Sequence, residues 1–128
     1  MTESLGGLHE TLGIEIDTLD EDQVTVSMDV TSDHHQPAGY MHGGVSLVLA
    51  ETAASMAADV NSADDANVFG MEINANHLKP FETGRLRATA RPLHRGKTTQ
   101  VWEVNLRNDE NDLICRSRCT LSVRQPSG

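Results

Sequence analysis

Glu51 stands within Gly44 to Asp59, a run otherwise made almost entirely of Leu, Val, Met and Ala. Burying an unpaired carboxylate costs several kcal/mol, so such a group is neutralised, paired or put to chemical use. Two readings follow: a structural Glu bonded to a neighbouring backbone or basic group, or a carboxylate acting as base or nucleophile. Gly43-Gly44 lies eight residues earlier, where the same run begins. Glycine lets a ligand approach the backbone, and a helix N-terminus offers free N–H groups at the positive end of its dipole. That arrangement can polarise a carbonyl as an oxyanion hole does, or it is an ordinary flexible start to a helix. On one helix the two groups are roughly 12 Å apart, whereas a carboxylate must come within about 3–3.5 Å of the carbonyl carbon that it attacks. One chain therefore cannot easily bring both to one carbonyl. Two antiparallel helices from two copies could, each giving its N-terminus to the other's Glu.

Ser55 follows Glu51 by one turn and shares its face, where it either orients a water or carboxylate or is a small hydroxyl packed in a helix. Gln36 and His42 flank the loop before the helix, and each either bonds a substrate carbonyl or anchors the loop. His34-His35 reads as a solvated loop pair, since no further ligand at clear spacing makes it a metal site. Gly44-Val45-Ser46-Leu47-Val48 lacks the last glycine of a G-x-S-x-G elbow. No P-loop, dinucleotide fingerprint or H-E-x-x-H is present, which sets aside a serine hydrolase or metallohydrolase.

The elements that must hold these residues follow from pattern. Ser4 to Leu12 is expected as a short helix stopped by Gly13. Ile14 to Leu19 is a strand. Val24, Val26, Met28 and Val30 alternate with Thr25, Ser27 and Asp29, which predicts a half-buried strand. A loop runs from Thr31 to Met41. The helix from Gly44 to Asp59 is so apolar that it is expected to be buried around most of its circumference. Strands are then expected over Val68 to Lys79, Arg85 to Arg95, Thr98 to Asn108 and Leu113 to Val123. The last carries Cys115, Cys119, Leu121 and Val123 on one face and Arg116 and Arg118 on the other. One buried helix followed by antiparallel strands predicts an α+β fold with the sheet wrapped around the helix.

With 128 residues, of which 38% are apolar, the chain is expected to form a single globular domain over residues 1–128. No stretch nears the ~20 apolar residues of a membrane span, and Met1 to Leu12 has no secretory pattern, so the cytoplasm is the expected compartment. Cys115 and Cys119 lie four apart on a strand, hence roughly 13 Å apart, too far for a mutual disulfide. No metal site is expected. All ten Lys and Arg lie at or after Lys79, whereas the first 78 residues carry 14 of the 19 acids and no base. A net charge of −9 argues against a nucleic-acid partner. The basic second half could hold an anionic small ligand. Acids outnumber bases nearly two to one, and such a surface suits a high-salt cytoplasm.

Gln36-Pro37-Ala38-Gly39-Tyr40-Met41-His42-Gly43-Gly44 and Leu49-Ala50-Glu51-Thr52-Ala53-Ala54-Ser55 resemble the hotdog thioesterases of the phenylacetate-pathway type. Glu72-Ile73-Asn74-Ala75-Asn76-His77, Arg91-Pro92-Leu93-His94-Arg95-Gly96-Lys97 and Gln100-Val101-Trp102 extend the likeness over nearly the whole chain. Within that family they are most similar to 1,4-dihydroxy-2-naphthoyl-CoA thioesterases of menaquinone synthesis and enterobactin proofreading thioesterases. The resemblance implies a hotdog fold, a dimer at least and usually a homotetramer built as a dimer of dimers, with sites at the dimer interface. It implies an acyl-CoA substrate and no cofactor. It makes Glu51 the catalytic nucleophile or general base and Gly43 the donor of the polarising N–H. Gln36 and His42 become substrate-orienting residues, and Ser55 the accompanying hydroxyl. Gly70, His77-Leu78-Lys79-Pro80 and His94-Arg95-Gly96-Lys97-Thr98-Thr99 match stretches that contact coenzyme A. Lys79, Arg95 and Lys97 could meet its phosphates, or they are solvent-exposed strand ends. A hotdog hydratase or dehydratase, and a non-catalytic acyl-CoA-binding module, are the rival readings. The first would release no thiol, and the second would have no need of Glu51.

Overall fold

The structure, a computed structural model, describes residues 6–125. Helix α1, Gly7–Leu12, stops at Gly13, whose φ of 71° lies in the left-handed region that a Cβ disfavours. The expected helix residues Ser4 and Leu5 lie outside the described residues. Strands β1 (Glu15–Leu19) and β2 (Val24–Val30) form a hairpin. β2 has the expected bounds but not the expected alternation, because Thr25 and Ser27 are buried as well as the valines. It lies inside the sheet, between β1 and its neighbour on the other side, and the hydroxyls of Thr25 and Ser27 meet Thr89 at 3.0 Å and Arg85 at 2.8 Å. Partnered hydroxyls can be buried at little cost.

Helix α2 spans Gly43–Val60, and four strands follow: β3 (Asn67–His77), β4 (Gly84–Arg95), β5 (Thr99–Arg107) and β6 (Leu113–Arg124). All adjacent strands are antiparallel, in the order β1-β2-β4-β5-β6-β3. The α+β expectation holds. β3 pairs with β6 on one side and, among the described residues, has no strand at its other edge.

The inner face of the sheet carries Val26, Met28, Leu86, Trp102, Val104, Leu106 and Leu121, all buried. Against it α2 sets Leu49, Ala50, Ala53, Ala54, Ala57 and Ala58, and the alanines let the sheet curl close to the helix axis. Each large apolar side chain so buried stabilises the fold by about 1.5–3 kcal/mol. Trp102 buries its indole and keeps its N–H bonded to Gln100 Oε1 at 2.9 Å.

α2 departs from expectation in one respect. Its inner face is covered by the sheet, but Val45, Leu47, Val48, Ser55 and Met56 are only half-buried and Glu51 and Asp59 are exposed. A single sheet wraps one side of a helix and leaves the other open, so an all-round apolar helix exceeds what this chain alone can cover.

Cys115 and Cys119 are free and on the buried face of β6, while Arg116 and Arg118 point outward. Burial pushes the thiols up to about 11 and about 12 respectively. The acidic and basic parts of the chain meet across the sheet. Arg85 of β4 pairs with Glu15 at 2.8 Å and Asp29 at 3.2 Å, and Arg95 pairs with Asp22 at 2.9 Å.

Candidate active site

The loop before α2 is pinned, contrary to the expectation of a solvated His34-His35 pair. His34 Nδ1 accepts the Thr31 N–H at 3.0 Å, closing a 3-10 turn at Ser32–His34. His35 Nε2–H donates to the Glu82 carbonyl at 2.7 Å, and the Met41 N–H donates to the Phe81 carbonyl at 2.7 Å. Between these ties Gln36-Pro37-Ala38-Gly39 turns, closed by Gly39 N–H to the Gln36 carbonyl at 3.0 Å, with Gly39 at φ 89°. Gln36 Oε1 accepts the Ala38 N–H, which leaves its side-chain NH₂ as the group free to donate outward.

His42 is the N-cap of α2. Its Nδ1 accepts the Gly44 N–H at 2.9 Å, and its carbonyl accepts the Val45 N–H at 3.0 Å. An accepting Nδ1 leaves the proton of a neutral ring on Nε2, so His42 presents a donor. The Gly43 N–H finds no acceptor among the described residues. Of the first three helical N–H groups it is therefore the one left for a ligand. Gly43 is also pressed against β3: a Cβ there would come within 3.0 Å of the His77 ring, whose Nε2–H donates to the Gly43 carbonyl at 3.3 Å. A cleft of about 380 Å³ opens here, and Gln36, Gly43, His77, Leu78, Lys79 and Pro80 of the expected set all line it. Tyr40 and Phe81 line it too. Sequence reasoning passed over them, although a chain with one Tyr and two Phe has few aromatics to place.

Glu51 is elsewhere. It lies two turns along α2, exposed, with its carboxylate packed on the backbone of Gly70 in β3 so closely that a Cβ there would overlap Oε2. The β3–β6 register slips between Gly70 and Glu72, so Met71 is an extra, bulged residue beside this contact. The expectation of a buried carboxylate is thus overturned for the single chain: Glu51 lies off the core side of α2 and reaches the exposed edge strand β3. Its charge still reaches inward, where after burial it is the next cause holding the Cys119 thiol protonated, together with Glu72. Ser55 follows one turn on and lines a second cleft, of about 530 Å³, with Leu19, Met56, Asp59, Val60 and Val68.

The remaining expected residues lie at the far end of the helix. Arg95 Nη1 reaches Asp22, the Glu21 carbonyl at 3.2 Å and Asn61 Oδ1 at 3.3 Å, and Asn61 is the C-cap of α2. Gly96 is enclosed, since a Cβ would meet the His94 ring at 2.6 Å and the Thr99 carbonyl at 2.8 Å. Lys97 and Thr98 are exposed beside it, and Thr99 is half-buried. Eighteen helical residues span roughly 27 Å, so this corner and the Gly43 cleft are distinct places on one chain. Lys79, at the Gly43 end, is held by Asp112 at 2.8 Å; that hydrogen bond raises the Lys79 pKa and lowers that of Asp112. Among the described residues no cluster of three His, Cys, Asp or Glu could hold a metal, and no helix is long and apolar enough to cross a membrane.

The described geometry therefore places an unpaired N–H and a ring donor at the start of α2, and a carboxylate with a hydroxyl two to three turns on. Residues 38–115 match the model of the thioesterase superfamily. A 1,4-dihydroxy-2-naphthoyl-CoA hydrolase of Listeria monocytogenes is 50% identical over 93% of this chain and 97% of its own. A proofreading thioesterase of Cronobacter turicensis is 39% identical over 94% of this chain and 88% of its own. A Staphylococcus aureus thioesterase, solved as Glu-to-Ala and Gln-to-Ala variants, superposes with a TM-score of 0.89 at 39% identity, covering 92% of this chain and 98% of that one. Fold, motif and relatives agree: the chain belongs to the thioesterase superfamily and is a hotdog-fold thioester hydrolase.

Proposed function

We propose that the chain hydrolyses an aromatic acyl-CoA to the free acid and coenzyme A, in sites that two copies build together. The observation that carries this reading is the separation of Gly43 from Glu51 along one helix: Gly43 lines the cleft with Gln36 and His77, and Glu51 lies two turns away against Gly70. Two antiparallel α2 helices would set the Gly43 N–H of one copy against Glu51 of the other. The open side of α2, where Val45, Leu47, Val48 and Met56 are only half-buried, and the edge of β3 that has no strand beside it among the described residues are the surfaces that such a pair would cover. Pairing would also bring His77 to Pro80 of one copy toward His94 to Thr99 of the other. The two stretches expected to contact coenzyme A, with Gly70 between them, would then meet. Assembly beyond the dimer to a homotetramer, residence in the cytoplasm and adaptation to high salt belong to the same proposal.

In this site the Gly43 N–H polarises the thioester carbonyl, with the His42 Nε2–H and the Gln36 amide placed to orient it. Glu51 either attacks the carbonyl carbon or takes a proton from an attacking water held by Ser55. The carbon–sulfur bond breaks, the coenzyme A thiolate leaves and takes up a proton, and water supplies the hydroxyl of the acid. The two residues altered in the Staphylococcus aureus enzyme are a Gln and a Glu 15 positions apart, the separation of Gln36 and Glu51 here. The name of the Listeria relative makes 1,4-dihydroxy-2-naphthoyl-CoA the first substrate to try.

The test is thiol release from 1,4-dihydroxy-2-naphthoyl-, benzoyl-, hydroxybenzoyl-, phenylacetyl- and medium-chain acyl-CoA, in low and high KCl. Turnover is expected with at least one aromatic thioester and is expected to be lost in Glu51→Ala, which leaves the melting temperature nearly unchanged because Glu51 is exposed. Retained turnover in a clean Glu51→Ala preparation would sink the assignment.

A further inference from the structure

The cleft beside Ser55 closes on a carboxylate that the chemistry above does not use. Its walls include Leu19, Met56, Val60 and Val68, and its polar side chains include Ser55 and Asp59. Glu51, Ser55 and Asp59 succeed one another at four-residue steps, so they form one stripe along the open side of α2. The Asp59 carboxylate has no hydrogen bond or ion pair among the described residues. Helix stability gives no reason for it either. It sits in the last two turns, near the negative end of the dipole, and no basic residue accompanies it in the last turn. A general preference for surface acids would not select a position that lines an apolar cleft next to Ser55.

We propose that Asp59 selects acyl groups whose aromatic ring carries a hydroxyl remote from the thioester. The inference rests on the reading of Glu51 and Ser55 as the catalytic side of the site. Glu51 and Asp59 are eight residues apart, roughly 12 Å along the helix. A carbonyl carbon about 3–3.5 Å from the Glu51 carboxylate starts that span, and a hydroxyl about 2.7 Å from Asp59 ends it. A benzene ring laid along the stripe, with its faces on the apolar walls, fills the interval between them. An ionised carboxylate only accepts hydrogen bonds, so it takes a phenolic O–H and gains nothing from an ether oxygen or a bare ring edge. A ring without the proton leaves Asp59 partly desolvated and unpaired, which is how a site built for a hydroxyl rejects the analogue lacking it.

The experiment compares kcat/KM for thiol release from 4-hydroxybenzoyl-CoA, benzoyl-CoA and 4-methoxybenzoyl-CoA in the wild type and in Asp59→Leu. Leucine has a comparable size and no acceptor, and position 59 is exposed, so the fold tolerates it. Differences in intrinsic reactivity cancel when each ratio is compared between the two proteins. Both the hydroxy-to-benzoyl and the hydroxy-to-methoxy ratios are expected to fall at least about tenfold in the variant. Unchanged ratios overturn the proposal, and so does a fall confined to the methoxy ratio, which would report only relief of crowding. Release of thiol from none of the acyl-CoA panel by the wild type would instead fell the thioesterase reading, and this inference with it.

Discussion

A Cβ at position 70 would land on Oε2 of Glu51, yet Gly70 has no left-handed backbone that would demand glycine. The residue is small for the sake of its neighbour. Gly70→Ala should therefore leave the strand formed and displace the carboxylate. Thiol release is expected to drop at least about tenfold, since ångström misplacement of a reacting group is expensive, while the thermal melt stays near that of the wild type. A fall in both would assign Gly70 to folding instead. Beneath this contact the two thiols make a pH prediction. Burial raises Cys115 from 9.0 to about 11 and Cys119 from 9.0 to about 12. The unfolded chain ionises first on raising the pH, so their contribution to stability is complete below pH 9 and is lost progressively toward pH 12. Denaturant midpoints followed upward from pH 8 should decline, and a Cys115→Ala/Cys119→Ala double variant should decline less steeply.

At the scale of elements, His42 both starts α2 and presents a donor, and two substitutions separate the roles. His42→Ala removes the cap and should lower stability by about 1 kcal/mol. Asn is among the best N-caps, so His42→Asn should melt close to the wild type yet lose turnover, because its short side chain spends its oxygen on Gly44. Equal losses of stability in both variants would overturn this division. The cap was not legible in the sequence, since His is no usual N-cap, although the Gly43-Gly44 start that it serves was. β2 was legible in its bounds because Val, Met and Val recur at every second residue. Its buried Thr25 and Ser27 were not, because their partners Thr89 and Arg85 arrive from a strand some sixty residues away. The order of the strands was illegible for the same reason. Among the proposed site residues, Gly43 and Glu51 stood out by local pattern, and Gln36 only by its place in the loop before the helix. The packing of Glu51 on Gly70 and of Gly43 on His77 depends on how β3 crosses the helix. The apolar run of α2 predicted burial around most of the helix, and the sheet of one chain covers only its inner side.

For the whole molecule, the uncovered side of α2 is the strongest pointer to a second copy. If each site takes Gln36 from one copy and Glu51 from the other, mixing inactive Gln36→Ala and Glu51→Ala proteins after reversible dissociation should restore activity. Random pairing predicts roughly a quarter of the wild-type value, because half the dimers are mixed and each has one intact site. Sites confined to single chains would give no recovery. Sedimentation of the wild type should meanwhile show no monomer at the concentrations where it turns over.

β3 is made in the middle of the chain but, among the described residues, pairs only with β6, the last of the six strands. During synthesis Gly70 therefore leaves the ribosome long before the strand that will fix it, and the surface under Glu51 stays unformed until about residue 124 is available. Pairings so distant in sequence close slowly. A nascent or prematurely ended chain thus has its helix and its carboxylate but not the strand that fixes Gly70 beneath them, so hydrolytic activity should emerge late and all at once.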